Sequence, residues 1–148
     1  MHRKQFNEFS YPYLKNNIET ITKLTGRGPS IHICGKSKSL WEPLMEAGVT
    51  SFSIDNAEDL SEAKAVMGDR ITIVGNVPPV EVISKGTKED IYNSVKECVK
   101  KAYDSPKGYM LAAGCQIPMF TKKENIEHFI NAGKYYGHYP IDEELLNS

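Results

Sequence analysis

An α/β fold of four parallel β/α units, preceded by a helix, is predicted by three features of the sequence. Four short apolar runs are each bounded by Gly, Pro or a polar residue, as buried parallel strands are. Stretches with helical spacing of apolar residues separate them. The resulting order, a helix and then alternating strands and helices, demands parallel pairing with right-handed crossovers.

The elements follow in order. Phe6, Phe9, Leu14, Ile18, Ile21 and Leu24 mark the first helix, Gly26 ends it, and Pro12 within it predicts a kink or a division. The first strand is Ser30-Ile31-His32-Ile33-Cys34. Ser39-Leu40-Trp41-Glu42 fits a capping box for the second helix, which Gly48 stops. The second strand is Ser51-Phe52-Ser53-Ile54-Asp55, followed by a short helix from about Ala57 to Met67 closed by Gly68. Ile71-Thr72-Ile73-Val74-Gly75 is the third strand. Thr87-Lys88-Glu89-Asp90 starts a helix whose apolar face is Ile91, Val95, Cys98, Val99 and Ala102. Tyr109-Met110-Leu111-Ala112-Ala113 is the fourth strand. A second capping box, Thr121-Lys122-Lys123-Glu124, opens the last helix, striped by Ile126, Phe129, Ile130 and Tyr136.

The 148 residues suit one domain, 1–148, with 40% hydrophobic and 25% charged residues. A net charge of −1 supplies no basic field for nucleic acid. No apolar run is long enough to span a membrane. The start, Met1-His2-Arg3-Lys4-Gln5-Phe6, lacks the apolar core of a signal peptide. A cytoplasmic location is the default expectation. Three cysteines in such a chain read as reduced thiols, buried or metal-bound, rather than as a disulfide framework.

The chemistry is concentrated in His32-Ile33-Cys34-Gly35. Alternation along a strand points His32 and Cys34 to one face. Cys115 follows Gly114 just beyond the fourth strand. In a parallel sheet all strand C-termini share one edge, where ligands bind. His32, Cys34 and Cys115 can therefore meet, and one imidazole with two thiolates suits zinc. Three protein ligands leave a fourth position for water or substrate, the catalytic pattern. The competing account is structural: buried cysteines and hydrogen-bonded core histidines are common, and His-x-Cys alone is a weak motif.

Other strand-end residues are weaker candidates. Asp55 and Asn56 cap the next helix or face ligand. Asn76, in Gly75-Asn76-Val77-Pro78-Pro79, contacts ligand or belongs to a rigid turn. Gln116 lines the same mouth as Cys115. Cys98 and Trp41 read as packing. His2, His128 and His138 are not assigned to the metal.

These segments resemble the uroporphyrinogen decarboxylase superfamily across nearly the whole chain. The matching stretches are Gln5-Phe6 through Pro12-Tyr13-Leu14, His32-Ile33-Cys34-Gly35, Ser53-Ile54-Asp55, Gly75-Asn76-Val77-Pro78-Pro79 and Glu124-Asn125-Ile126. His-x-Cys with a distant Cys resembles the corrinoid:coenzyme M methyltransferase branch. That resemblance implies zinc held by His32, Cys34 and Cys115. The family fold is a (β/α)8 barrel of about 250 residues or more, and this sequence resembles its C-terminal half. The chain is then a fragment, the product of a split gene, or an independently folded half. Such a half leaves two open sheet edges and an exposed apolar face. It is expected to associate, as a two-fold homodimer or with a separate N-terminal half-barrel.

The resemblance implies methyl transfer from a methylated corrinoid, carried on a partner protein, to a small thiol such as coenzyme M. A tetrapyrrole decarboxylase is the second expectation. It needs cationic clamps, and Arg27 and Arg70 both precede strands, at the wrong edge. The third is a non-catalytic half-barrel module that binds zinc or corrinoid.

Overall fold

A computed structural model describes residues 3–148; His2 lies outside the described residues. The chain opens with α1 (Arg3–Gln5), a π-helical segment (Phe6–Ser10) and α2 (Tyr11–Thr25) in continuous succession. Then come β1 (Ser30–Ile33), a short 3-10 turn (Lys38–Leu40), α3 (Trp41–Ala47), β2 (Ser51–Ile54), α4 (Leu60–Met67) and β3 (Thr72–Val77). A π-helical turn (Pro79–Ser84), α5 (Lys88–Ala102), β4 (Tyr109–Ala113), α6 (Lys123–Tyr136) and α7 (Glu143–Asn147) complete it. The strands form one parallel sheet in the order β1-β2-β3-β4. This is the α/β organisation that the alternating pattern predicts. No helix among the described residues is long and apolar enough to cross a membrane.

The sheet has two unlike faces. Phe52, Ile54, Ile73 and Val77 are fully buried among helix residues such as Trp41, Leu44, Leu60, Ile91 and Val95. On the other face, register aligns Ser30, Ser51 and Thr72 in one row and His32, Ser53, Val74 and Met110 in the next. Most of these residues border an open hollow of about 730 Å³. The uncovered face is thus largely hydroxyl-bearing rather than apolar; Val74 and Met110 are its apolar part. β1 and β4, as the outer strands, leave the two expected edges open.

Several local expectations are corrected. Pro12 sits in the first turn of α2, where its missing N–H costs nothing, directly after the π segment that divides the helix. Phe6 and Ile18 are buried while Phe9 and Leu24 are exposed; Ile18 and Leu24, both within α2, are six residues apart and so lie on different faces. The Ser39 capping box does not form. Glu58 Oε1 instead accepts from the backbone N–H groups of Ser37 and Lys38, at 2.5 and 2.7 Å. α4 starts at Leu60 rather than Ala57, because Asp55 Oδ1 accepts from the Ala57 N–H and holds a turn there. Asp59 is the cap, accepting from the Glu62 N–H. At α5 the predicted box is present, with Thr87 and Asp90 in reciprocal hydrogen bonds. The one predicted at Thr121 is not: Lys122 is the N-cap residue and no side chain caps the helix.

Candidate metal centre

β1 delivers His32 to the open face, and Cys34 follows one residue past the strand's end. Cys34 Sγ lies 3.3 Å from His32 Nε2, as strand alternation predicts. On the other side of the ring, Nδ1 lies 3.0 Å from both the backbone oxygen and the Oγ of Ser53. A carbonyl oxygen only accepts, so Nδ1 carries the ring proton and Nε2 presents its lone pair toward Cys34.

Cys115 arrives from the opposite edge of the sheet. With neighbouring strands about 4.8 Å apart, the outer strands of a flat four-stranded sheet lie roughly 14 Å apart. Cys34 Sγ and Cys115 Sγ are nevertheless 3.5 Å apart. The sheet curls, and the segment after β4 turns inward at Gly114. A Cβ at that position would lie 2.6 Å from the Asn56 backbone nitrogen and 2.9 Å from its Cβ. Only glycine lets the chain lie this close to the turn after β2.

The three donor atoms of His32, Cys34 and Cys115 all lie within 4.8 Å of one another, a group able to hold a metal ion. They line a hollow of about 330 Å³ together with Ser53, Ala113 and Gln116. The Cys34 thiol is held above its ordinary value of 9.0, first by its hydrogen bond with Cys115, then by partial desolvation. The nearby charges of Cys115 and Asp55 push the same way.

Among the remaining candidates, Gln116 shares this hollow. Asp55 is nearly buried, and its Oδ1 is engaged by the Ala57 N–H. Asn76 lies elsewhere: it borders a groove between α4 and α5 with Cys98 and Lys101. Its Nδ2 donates to the carbonyls of Asp55 and Glu58, at 3.1 and 2.9 Å. Cys98 and Trp41 are buried in the core. His128 faces Glu124 on α6 at 3.6 Å, and His138 lines a hollow beside α7. Sequence reasoning passed over Ser53 and Glu58. Ser53 was within reach of it, because adjacent parallel strands in register put Ser53 beside His32.

The family model described as uroporphyrinogen decarboxylase matches residues 1–136. Uroporphyrinogen decarboxylase 2, chloroplastic, of Oryza sativa subsp. japonica is 34% identical over 87% of this chain and 32% of its own length. A methylcobamide:CoM methyltransferase of Methanosarcina acetivorans is 30% identical over 88% of this chain and 37% of its own. The solved structure of a methyltransferase from Methanosarcina mazei superposes with a TM-score of 0.78 at 23% identity. That match covers 93% of this chain and 39% of the other. The chain thus spans about a third of the length of the curated relatives it matches. With a matching model over most of its length and a sheet and helix order to suit, the chain belongs to the uroporphyrinogen decarboxylase family.

Proposed function

We propose that this chain is the zinc-holding part of a methyltransferase that moves a methyl group from a methylated corrinoid, carried by a separate protein, to a small thiol such as coenzyme M. The observation that carries this reading is the donor cluster. Zinc–sulfur and zinc–nitrogen bonds of about 2.3 and 2.0 Å at tetrahedral angles separate donors by roughly 3.5–3.8 Å. The sulfurs here are 3.5 Å apart, and Cys34 Sγ is 3.3 Å from His32 Nε2. The third separation, between His32 and Cys115, is within 4.8 Å, so those two donors would draw together around the ion.

His32, Cys34 and Cys115 would hold the metal. Bound zinc supplies Lewis acidity that keeps a thiol deprotonated near neutral pH. The chain's own residues set the stage for that chemistry. Ser53 fixes the His32 ring and its tautomer. Gly114 lets Cys115 approach. Gln116 borders the space a substrate would occupy, and Asp55 adds negative charge beside Cys34. Asn76 ties the turn after β2 to β3, outside this hollow.

Identity does not separate the two enzyme classes, because the decarboxylases match at least as well as the methyltransferase. The arginines favour methyl transfer. Arg70 is paired with Glu42 at 2.6 Å, and Arg27 lines the hollow at the strands' N-terminal end. Neither is placed to clamp carboxylates at the mouth. The two open edges call for a companion that supplies further strands, either a second copy of this chain or a separate N-terminal half-barrel.

Zinc content per chain, measured by elemental analysis on wild type and Cys34→Ser, tests the metal site. The expected result is near one zinc in wild type and a loss in the variant. Absence of zinc both in the chain alone and in the coexpressed pair of halves would overturn it. Methyl transfer from methylcobalamin to coenzyme M, appearing in the assembled protein and lost in Cys34→Ser, tests the activity. Carbon dioxide release from a porphyrinogen instead would favour decarboxylation.

A further inference from the structure

We propose that Cys34 and Cys115 are also a redox pair, which a peroxide joins in a disulfide that closes the donor cluster to metal and straps the two outer strands of the sheet together. The inference uses the same thiols as the proposed metal site, but it needs no metal.

Three observations support it. The sulfurs are already 3.5 Å apart, so forming a bond of about 2.05 Å requires an approach of roughly 1.5 Å. One side can supply that movement. Gly114 lies against the Asn56 backbone, whereas a Cβ added at Gly35, next to Cys34, would meet nothing within 4 Å beyond its chain neighbours. Among the described residues, Cys34 also follows a strand at the edge of the sheet. Finally, the pair is open to small oxidants while the third thiol is not. Cys34 is exposed and Cys115 half-buried, but Cys98 is 7% exposed and faces Asn76 Oδ1.

With hydrogen peroxide the step balances. One sulfur takes an oxygen from the peroxide as the O–O bond breaks, giving a sulfenic acid and one water. The second sulfur displaces that oxygen, which leaves as a second water, and the S–S bond forms. The two thiols together lose two electrons and two protons; the peroxide is reduced to water. A dithiol such as dithiothreitol reverses the change. In the oxidised state neither sulfur offers a thiolate, so the cluster cannot compete for zinc.

The test is peptide mapping by mass spectrometry of the metal-free chain after brief treatment with hydrogen peroxide, without reductant. The expected product is one intrachain cross-link between the peptides carrying Cys34 and Cys115, two hydrogens lighter than the sum, with Cys98 unmodified. Dithiothreitol should reverse it. Competition with a chromogenic chelator should show zinc uptake only in the reduced form, and zinc added beforehand should slow cross-linking. Separate sulfinic acids on the two residues, or cross-links only between chains, would overturn the proposal. If the cross-link forms but neither the reduced chain nor the coexpressed pair of halves takes zinc, the redox pair stands and the metal reading fails. If zinc binds and no cross-link forms, the reverse holds.

Discussion

The Nδ1 of His32 lies 3.0 Å from the backbone oxygen of Ser53, its register partner on β2, and equally close to the Ser53 hydroxyl. The carbonyl requires the Nδ1–H tautomer and leaves Nε2 for a metal. Long-range proton–nitrogen NMR on the metal-free protein should therefore show His32 protonated on Nδ1. A proton on Nε2 would contradict this. Ser53→Ala removes the hydroxyl but keeps the carbonyl, so zinc affinity should fall by about tenfold, the low end for such supporting contacts. His32→Ala should remove the ligand altogether.

Gly114 makes a different prediction. A methyl group there meets the Asn56 backbone at 2.6 Å, and backbone cannot step aside as a side chain can. Gly114→Ala should push the segment carrying Cys115 away from Cys34. Zinc content should fall as it does in a ligand variant, although all three donors remain. Circular dichroism should still show the α/β pattern. Full zinc loading in Gly114→Ala would mean that the cluster does not depend on this close approach.

Asn76 should act on stability. Its amide supplies the Glu58 carbonyl at 2.9 Å and the Asp55 carbonyl at 3.1 Å, in a place 7% exposed. Asn76→Ala would leave buried acceptors short of a donor, at a cost of about 1–3 kcal/mol in urea unfolding. Zinc bound by the folded variant should be unchanged. A stable variant with impaired substrate binding would instead return Asn76 to a ligand-contacting role.

The residues that were legible in sequence and those that were not divide by range. Strand alternation and the shared edge of parallel strands were enough to group His32, Cys34 and Cys115. The buried face of α5 followed from spacing alone: Ile91, Val95, Cys98, Val99 and Ala102 are all buried. What escaped depended on partners from another β/α unit. Glu58 caps the turn before α3 from 20 residues away, so the local Ser39 pattern was misleading. Asn76 reads as a strand-end candidate, but its side chain is taken up by two carbonyls from the unit before. The curl that brings Cys115 across the sheet rests on Gly114 touching Asn56, a contact without a local signature.

Acid sensitivity follows from Asp90. Hydrogen bonds from the Thr87 N–H and hydroxyl to its carboxylate hold its pKa below the ordinary 3.8. A carboxylate depressed on folding adds stability above its unfolded value, and that stability is lost as pH falls through the folded value. Unfolding midpoints measured from pH 6 down to pH 2 should therefore drop below about pH 4. Asp90→Asn should flatten part of that decline while lowering stability at neutral pH. An unchanged acid limb would show that the box makes no pH-dependent contribution.

Thr87 and Thr121 have the same sequence context, each three residues before an acidic side chain, yet they should respond oppositely. Thr87 Oγ1 accepts from the Asp90 N–H and closes a capping box. Thr87→Ala should cost about 1 kcal/mol. Thr121 precedes the N-cap residue of α6, and its own hydroxyl is buried without a hydrogen-bond partner. Thr121→Val keeps the shape and removes the unpaired group, so it should be neutral or stabilising by up to about 1 kcal/mol. What holds this end of α6 is Asn125. Its Nδ2 faces the carbonyls of Ile83, Ser84 and Gly86, at 2.9, 3.3 and 3.2 Å. Asn125→Ala should accordingly destabilise more than Thr121→Val in the same urea titration. Equal losses for Thr87→Ala and Thr121→Val would mean that Thr121 does cap α6 in solution.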